Sequence, residues 1–414
     1  MNDKNRNRAK RYRSFQLSTS NFQLIILFLI ALAVFFCFFS SSDVFAASDE
    51  KGREEVEKEL ESNIDERLGG LDLSELERFV NSLDDGIVKG NLKDYIDKIV
   101  KGEYGSGGQA VFKIASELLL ADALNLLPML AAIVIVCLLS GFVSGVTSNF
   151  LKKSTQEIIF FVCYALIILI LMSRVIGYIE TVRTLLQTMT RLMDILFPVL
   201  LTLITALGGA VSVSAYQPLM AVLAVTIVSV ISGIIVPCFI AAILFSLVGN
   251  MSETVKLEGF RSFFKTAANW LLGGMFGLFT LFVSVEGITG AALDNVTVSA
   301  VKFAVSSYVP ILGGYLSDGF DLVLGSVVLI KNALGFTGIM IMLSVILAPV
   351  IKMAVFILVL KLTAAIAEPI SDKRISKMIS SLASNMKLLI TSVLGVGFMF
   401  FLTVMLVIMT GNVI

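Results

Sequence analysis

The sequence contains no histidine, and only four cysteines occur among its 414 residues. Without histidine the chain lacks the commonest general base and metal ligand. The cysteines, Cys37, Cys137, Cys163 and Cys238, all sit inside apolar runs. They read as small core or lipid-facing residues, not as a disulfide framework or a zinc site. There is no GxxxxGK[ST] loop, which argues against ATP hydrolysis. A hydrolytic site would need a Ser–Lys or carboxylate pair, and none has supporting context. The expectation is a non-enzyme with no cofactor. No basic patch falls on a soluble segment, so nucleic acid is not an expected partner.

Charge is scarcest in the second part of the chain. From Leu118 to Ile414, 297 residues carry only 28 Asp, Glu, Lys or Arg, mostly in short clusters. The runs between clusters are about as long as a bilayer is thick. Lipid can cover that much apolar surface and a soluble core cannot. The fold class expected is an all-α polytopic integral membrane helical bundle of about 6–10 spans. A small acidic helical ectodomain should precede it.

Residues 1–46 resemble a secretory signal or signal anchor. Six Lys or Arg fall within the first 13 residues, and Phe22 to Phe39 is apolar apart from Gln23. Val44 and Ala46 suit the −3 and −1 positions of a cleavage site. Residues 47–116 are acidic and helix-prone. Residues 48–105 carry 17 acids against 9 bases. Leu60, Ile64 and Leu68, then Leu76, Phe79, Val80 and Leu83, recur at helical spacing. This segment is either a docking surface for an extracytoplasmic partner or a helical hairpin that caps the membrane domain.

Residues 117–414 form the membrane domain. The positive-inside rule places loops 151–157, 251–265 and 368–387 in the cytoplasm. Ten spans can be parsed, with Tyr178–Leu196 lying along the outer interface and separate spans on either side of Pro349. Re-entrant segments near 198–236 and 310–331 would reduce the number to six. The Pro198–Pro237 and Pro310–Pro349 spacings are both 39 residues. They admit a weak duplication of 191–290 into 302–411, running in parallel. Gly141-x-x-x-Gly145 and Gly273-x-x-x-Gly277 permit close helix approach.

Charges at membrane depth are functional candidates by default. Lys352 and Lys361 fall inside an apolar run. Lys302, Asp318, Asp321 and Lys331 flank the least regular stretch. Gly313 and Gly314, beside Pro310, suit a broken or re-entrant segment that is buried in protein or lines a passage, or else an ordinary extracytoplasmic loop. The bland alternative is snorkelling at span ends, helped by a pair such as Lys361 with Glu368.

Three stretches together resemble the stage III sporulation protein AE family. The first runs from Leu192 through Gly208-Gly209 to Pro218. The second is Val301 to Gly319, containing Tyr308-Val-Pro-Ile-Leu-Gly-Gly-Tyr-Leu-Ser-Asp. The third is Ala367-Glu-Pro-Ile-Ser-Asp-Lys-Arg-Ile375, with Glu368, Asp372 and Arg374. The resemblance implies a multi-pass subunit of a channel or secretion-like complex in the mother-cell membrane that engulfs the forespore. It implies partners among the other membrane and intermembrane-space subunits, and a requirement for forespore sigma-G activity. It implies no catalytic residues. A stand-alone secondary transporter or permease is the alternative.

Overall fold

The computed structural model describes residues 62–64, 66–83, 92–100, 107–146, 153–221, 226–251, 257–308 and 313–410. The signal region 1–46 and Pro310 lie outside the described residues. The compact unit is Ile64–Ile414. Among the described residues every regular element is helical.

After helical residues 62–64 and 66–70 come two short helices, α1 (Ser74–Asn81) and α2 (Leu92–Val100). The Asp72 carboxylate accepts the Ser74 N–H at 3.1 Å and so satisfies an open donor at the start of α1. Those hydrogen bonds hold the Asp72 carboxyl below the usual carboxylate range. Leu76, Phe79 and Val80 form the buried face of α1, and Leu92 and Ile96 that of α2. α1 packs on α4 and α2 on α8.

The long helices follow. They are α3 (Gly107–Val146), α4 (Lys153–Ala206), the short α5 (Ala210–Ala221), α6 (Val236–Met251), α7 (Glu258–Tyr308), α8 (Gly313–Ile370) and α9 (Lys373–Met409). A helical turn at Val228–Val230 and a π-helical turn at Ile231–Ile235 lead into α6. Among the described residues six helices are long and apolar enough to cross a membrane. They are Ser116–Phe142, Thr155–Ala206, Val228–Met251, Glu258–Val285, Leu322–Ile370 and Lys373–Met409.

The ten-span parse is corrected in two places. Tyr178–Leu196 is not a separate interfacial helix but the middle of α4. Val175, Ile179, Val182, Leu186, Met189, Met193, Leu196, Leu200 and Leu203 are buried, at alternating steps of four and three residues. That unbroken heptad keeps one seam facing α8 and α9, so the backbone has no reason to turn. Arg174, Glu180, Arg183, Arg191 and Asp194 lie on the opposite, exposed face. Pro349 likewise does not separate two spans, because it sits inside α8. No turn residues flank it, and a buried helix can absorb one missing N–H. Residues 286–308 and 313–332 are helical too, continuing α7 and beginning α8, so the glycine-rich pieces are not separate short segments. A lone helical glycine costs about 1 kcal/mol, too little to break a long helix that packing supports.

The central helix is α9. Of its apolar window 78% is buried, against 28–44% for the other five. It forms an antiparallel hairpin with α8 and also packs on α4, α6 and α7. Gly395 lets the Phe276 ring of α7 lie against the α9 backbone, where a Cβ would collide with it. The motif glycine Gly208 ends α4 with φ 84°, and the Gly209 N–H returns to the Ile204 carbonyl at 3.0 Å. Gly141 meets the Ile370 backbone, whereas nothing lies within 4 Å of a Cβ built on Gly273 or Gly277. The second small-residue motif therefore faces open space and not a neighbouring helix of this chain.

Candidate functional site

The third sequence motif builds the corner between α8 and α9. Pro369 stands in the last turn of α8, and the Ser371 hydroxyl donates back to the Ala367 carbonyl at 2.7 Å. Asp372 is extended (φ −58°, ψ 135°) and caps α9 by accepting the Arg374 N–H at 2.8 Å. The Arg374 guanidinium returns to the same carboxylate, with Nε at 3.2 Å from Oδ1 and Nη2 at 3.0 Å from Oδ2. Burial pushes the Asp372 carboxyl up, but the hydrogen bonds and charge of Arg374 outweigh it, so the group sits below the usual carboxylate range.

Arg374 also binds across the bundle. Its guanidinium lies 3.7 Å over the Phe160 ring near the start of α4. Its Nη1 donates to the Met251 carbonyl at the end of α6, at 3.5 Å. Gly141, near the end of α3, rests on Ile370. One arginine thus gathers the ends of α4, α6, α8 and α9 at one end of the bundle. The three charged loops expected on one side, 151–157, 251–265 and 368–387, adjoin the helix ends at this corner.

The opposite end of α9 has its own polar knot. Lys331 is fully buried, and its ammonium donates to the carbonyls of Ile408 (3.0 Å) and Thr410. The Thr410 hydroxyl donates to the Leu406 carbonyl and shares a 2.8 Å hydrogen bond with the Tyr216 hydroxyl of α5. A cation at a helix C-terminus complements the helix dipole and satisfies carbonyls that have no intrahelical donor.

Between α4 and α8 lies a cleft of about 490 Å³. Thr181, Thr184 and Thr188 line one wall, Ser344 and Pro349 the other, with Glu180 and Leu83 at its edge. Pro349 has no N–H, so the Val345 carbonyl loses its intrahelical partner beside the cleft. The lining is mostly apolar, and the hydroxyls of Thr181, Thr188 and Ser344 donate to carbonyls of their own helices. Among the described residues no group of three or more His, Cys, Asp or Glu could hold a metal ion.

The predicted site residues do not converge on one place. Asp372 and Arg374 meet at the corner, while Lys331 lies at the far end of the α8–α9 hairpin. Lys352, Lys361 and Glu368 are exposed along α8, and no ion pair joins Lys361 to Glu368. The Lys352 backbone carbonyl accepts the Tyr178 hydroxyl at 3.5 Å. Lys302 falls in α7, and Gly313, Gly314, Asp318 and Asp321 in the first turns of α8. Sequence reasoning missed Phe160, Tyr216, Thr410 and the threonine wall. The Thr181/Thr184/Thr188 spacing of three and four was a readable signal, but the others depend on tertiary contacts.

The profile of the stage III sporulation protein AE family matches residues 90–411. The chain is 23% identical over 387 residues to stage III sporulation protein AE of Bacillus subtilis (strain 168). That alignment covers 93% of this chain and 97% of the relative. No solved structure matches. The chain therefore belongs to the stage III sporulation protein AE family, as a membrane protein of sporulation.

Proposed function

We propose that this member of the stage III sporulation protein AE family is a non-enzymatic, multi-pass subunit of a channel or secretion-like complex. The complex would lie in the mother-cell membrane around the forespore and support forespore sigma-G activity after engulfment. The observation that carries the reading is the reach of the bundle. α4 has 54 residues and α8 has 58. At 1.5 Å per residue their contour lengths are about 80 and 90 Å, against a hydrocarbon core of about 30 Å. Much of each helix must stand outside the bilayer. The outstanding part of α4 is polar on its exposed face, at Glu180, Arg183, Arg191 and Asp194. The short helices α1 and α2 pack on α4 and α8.

With the expected loops 151–157, 251–265 and 368–387 in the cytoplasm, six crossings would put α1 and α2 on the extracytoplasmic side, in the space between the two membranes. Surfaces there would meet the other subunits. The stretch Lys302–Asp321, with Pro310, Gly313, Gly314 and Asp318, is proposed to shape the passage or to dock them. The test is purification from sporulating cells together with a sigma-G reporter. Partner proteins should co-purify, and Asp318→Ala should abolish reporter activity while assembly survives. Solute flux through liposomes holding this chain alone would instead establish a self-sufficient permease.

A further inference from the structure

A second charged cluster lies where α7, α8 and α9 meet, and the corner site does not use it. Arg261 and Lys265 come from α7, Lys361 from α8 and Lys387 from α9. Lys265 lies within electrostatic reach of Arg261 and Lys387, and Lys387 within reach of Lys361. Glu258, paired with Arg261, is the acid that faces the cluster. Among the described residues four cations stand against one carboxylate, and they repel one another unless an anion joins them.

The cluster also leaves polar atoms unsatisfied. Arg261 donates to Ser381 of α9, but its Nε is buried with no hydrogen-bond partner. Asn385, one helical turn beyond Ser381, is 1% exposed, and neither end of its amide has a partner. Orphaned polar groups of this kind cost about 1–3 kcal/mol each.

Position identifies the anion. Lys265 Nζ donates to the Ser384 carbonyl at 3.2 Å, which is 10 residues beyond Arg374 along α9. The cluster thus lies about 15 Å deeper along the bundle than the corner. Phe245 stacks on Phe260 and Phe264, and Phe263 and Trp270 project outward at 65% and 76% exposure. Exposed aromatics beside cations mark the headgroup level of a membrane. Beyond them Leu278, Leu281, Phe282 and Val285 continue an exposed apolar band.

We propose that this cluster binds the phosphate of an anionic phospholipid, with Lys265 and Lys387 as its main ligands and the acyl chains lying along α7. A diphosphate headgroup such as that of cardiolipin matches the charge excess better than a single phosphate.

The test is thermal unfolding of the purified full-length chain in neutral detergent, read by circular dichroism. Cardiolipin, phosphatidylglycerol, phosphatidylcholine and inorganic phosphate are added separately. Cardiolipin should raise the midpoint by about 5 °C at saturation, and phosphatidylglycerol by less. Lys361→Gln alters an exposed residue and should at least halve the rise, while Lys265→Gln and Lys387→Gln should remove it. Lys377→Gln, outside the cluster, should leave it intact. The proposal is overturned if phosphatidylcholine gives the same rise, or if the three cluster variants respond like the unaltered chain. A full rise with inorganic phosphate alone assigns the site to a soluble anion and overturns the lipid as its occupant.

Discussion

Arg374→Ala should unlatch one end of the bundle, and its cost can be built up from the contacts at the corner. The bidentate pair with Asp372 is half-buried, with side-chain exposures of 24% and 30%. A hydrogen bond to a charged group contributes about 1.5–3 kcal/mol, and partial exposure puts this pair at the lower end. The Phe160 contact adds about 0.5–1 kcal/mol. Removing the guanidinium also leaves Asp372 as an uncompensated carboxylate. The total is about 3 kcal/mol. In a chain of this size that is a fall of about 3 °C in the unfolding midpoint in detergent, measured by circular dichroism. Arg374→Lys should recover little, because an ammonium offers neither the planar fork nor the stacking face. A cycle with Phe160→Leu should show coupling of about 0.5–1 kcal/mol. Low pH supplies a second readout. A carboxylate with a depressed folded pKa stabilises the fold above its unfolded value of about 3.9. That stability is lost as pH falls through the folded value, so the gap between wild type and Arg374→Ala should be full at pH 7 and shrink below about pH 4. A midpoint within 1 °C of wild type at pH 7, or strictly additive effects with Phe160→Leu, would refute the latch.

Other substitutions probe the rest of the frame. Lys331→Met keeps the length of the side chain but deprives the Ile408 and Thr410 carbonyls of their donor, and should cost about 1–3 kcal/mol in the same unfolding assay. Gly395→Ala should destabilise by about 1–3 kcal/mol, because the new Cβ meets the Phe276 ring. Gly277→Ala meets nothing and should be neutral or stabilising by up to about 1 kcal/mol. Leu196→Ala, in the middle of the α4 seam, should cost about 2–5 kcal/mol. Six crossings predict opposite labelling of single cysteines at Lys377 and Arg191: an impermeant thiol reagent added to intact cells should reach the second and not the first.

Much of the architecture was legible from charge. The sparse clusters located the membrane domain and the helix ends that meet at one end of the bundle. The sequence Ser371-Asp-Lys-Arg374 is a readable helix start, since an Asp before a helix offers an acceptor to its open N–H groups. What was not legible concerns continuity. Tyr178–Leu196 has the polarity of an interfacial helix, and only the buried partners α8 and α9 reveal that its apolar stripe is a heptad seam. Pro349 reads as a boundary because proline removes a helix hydrogen bond, yet neighbouring helices support α8 across the gap. Lys331 read as a charge flanking the irregular stretch, either lining a passage or snorkelling at a span end. Its burial depends on where α9 ends, 77 residues later, which no local pattern records.

The two polar knots bear on a difficulty that the apolar core leaves unsolved. Inside a bilayer, helix association gains little from the hydrophobic effect, since lipid tails are as apolar as leucine. The seam of α4 repeats every seven residues, and α9 is buried along most of its length among similarly apolar neighbours. A slip of α9 by one heptad would move it about 10 Å and still leave apolar side chains against apolar side chains. Packing shape at Gly395 and Gly335 opposes such a slip, at a cost of a few kcal/mol. The charged ends oppose it more strongly. A shifted α9 would pull Arg374 from Phe160 and the Met251 carbonyl, and would leave the buried Lys331 ammonium without the carbonyls of Ile408 and Thr410. An ammonium stranded in a dry interior costs several kcal/mol, more than any one of the packing contacts. Arg374 and Lys331 stand 43 residues apart in sequence, at opposite ends of the α8–α9 hairpin: Arg374 reaches from α9 to a carbonyl of α6, and Lys331 reaches from α8 to carbonyls of α9, so both contacts depend on the register of α9. Their role on this reading is to specify where the central helix sits, while burial supplies most of the energy that holds it there.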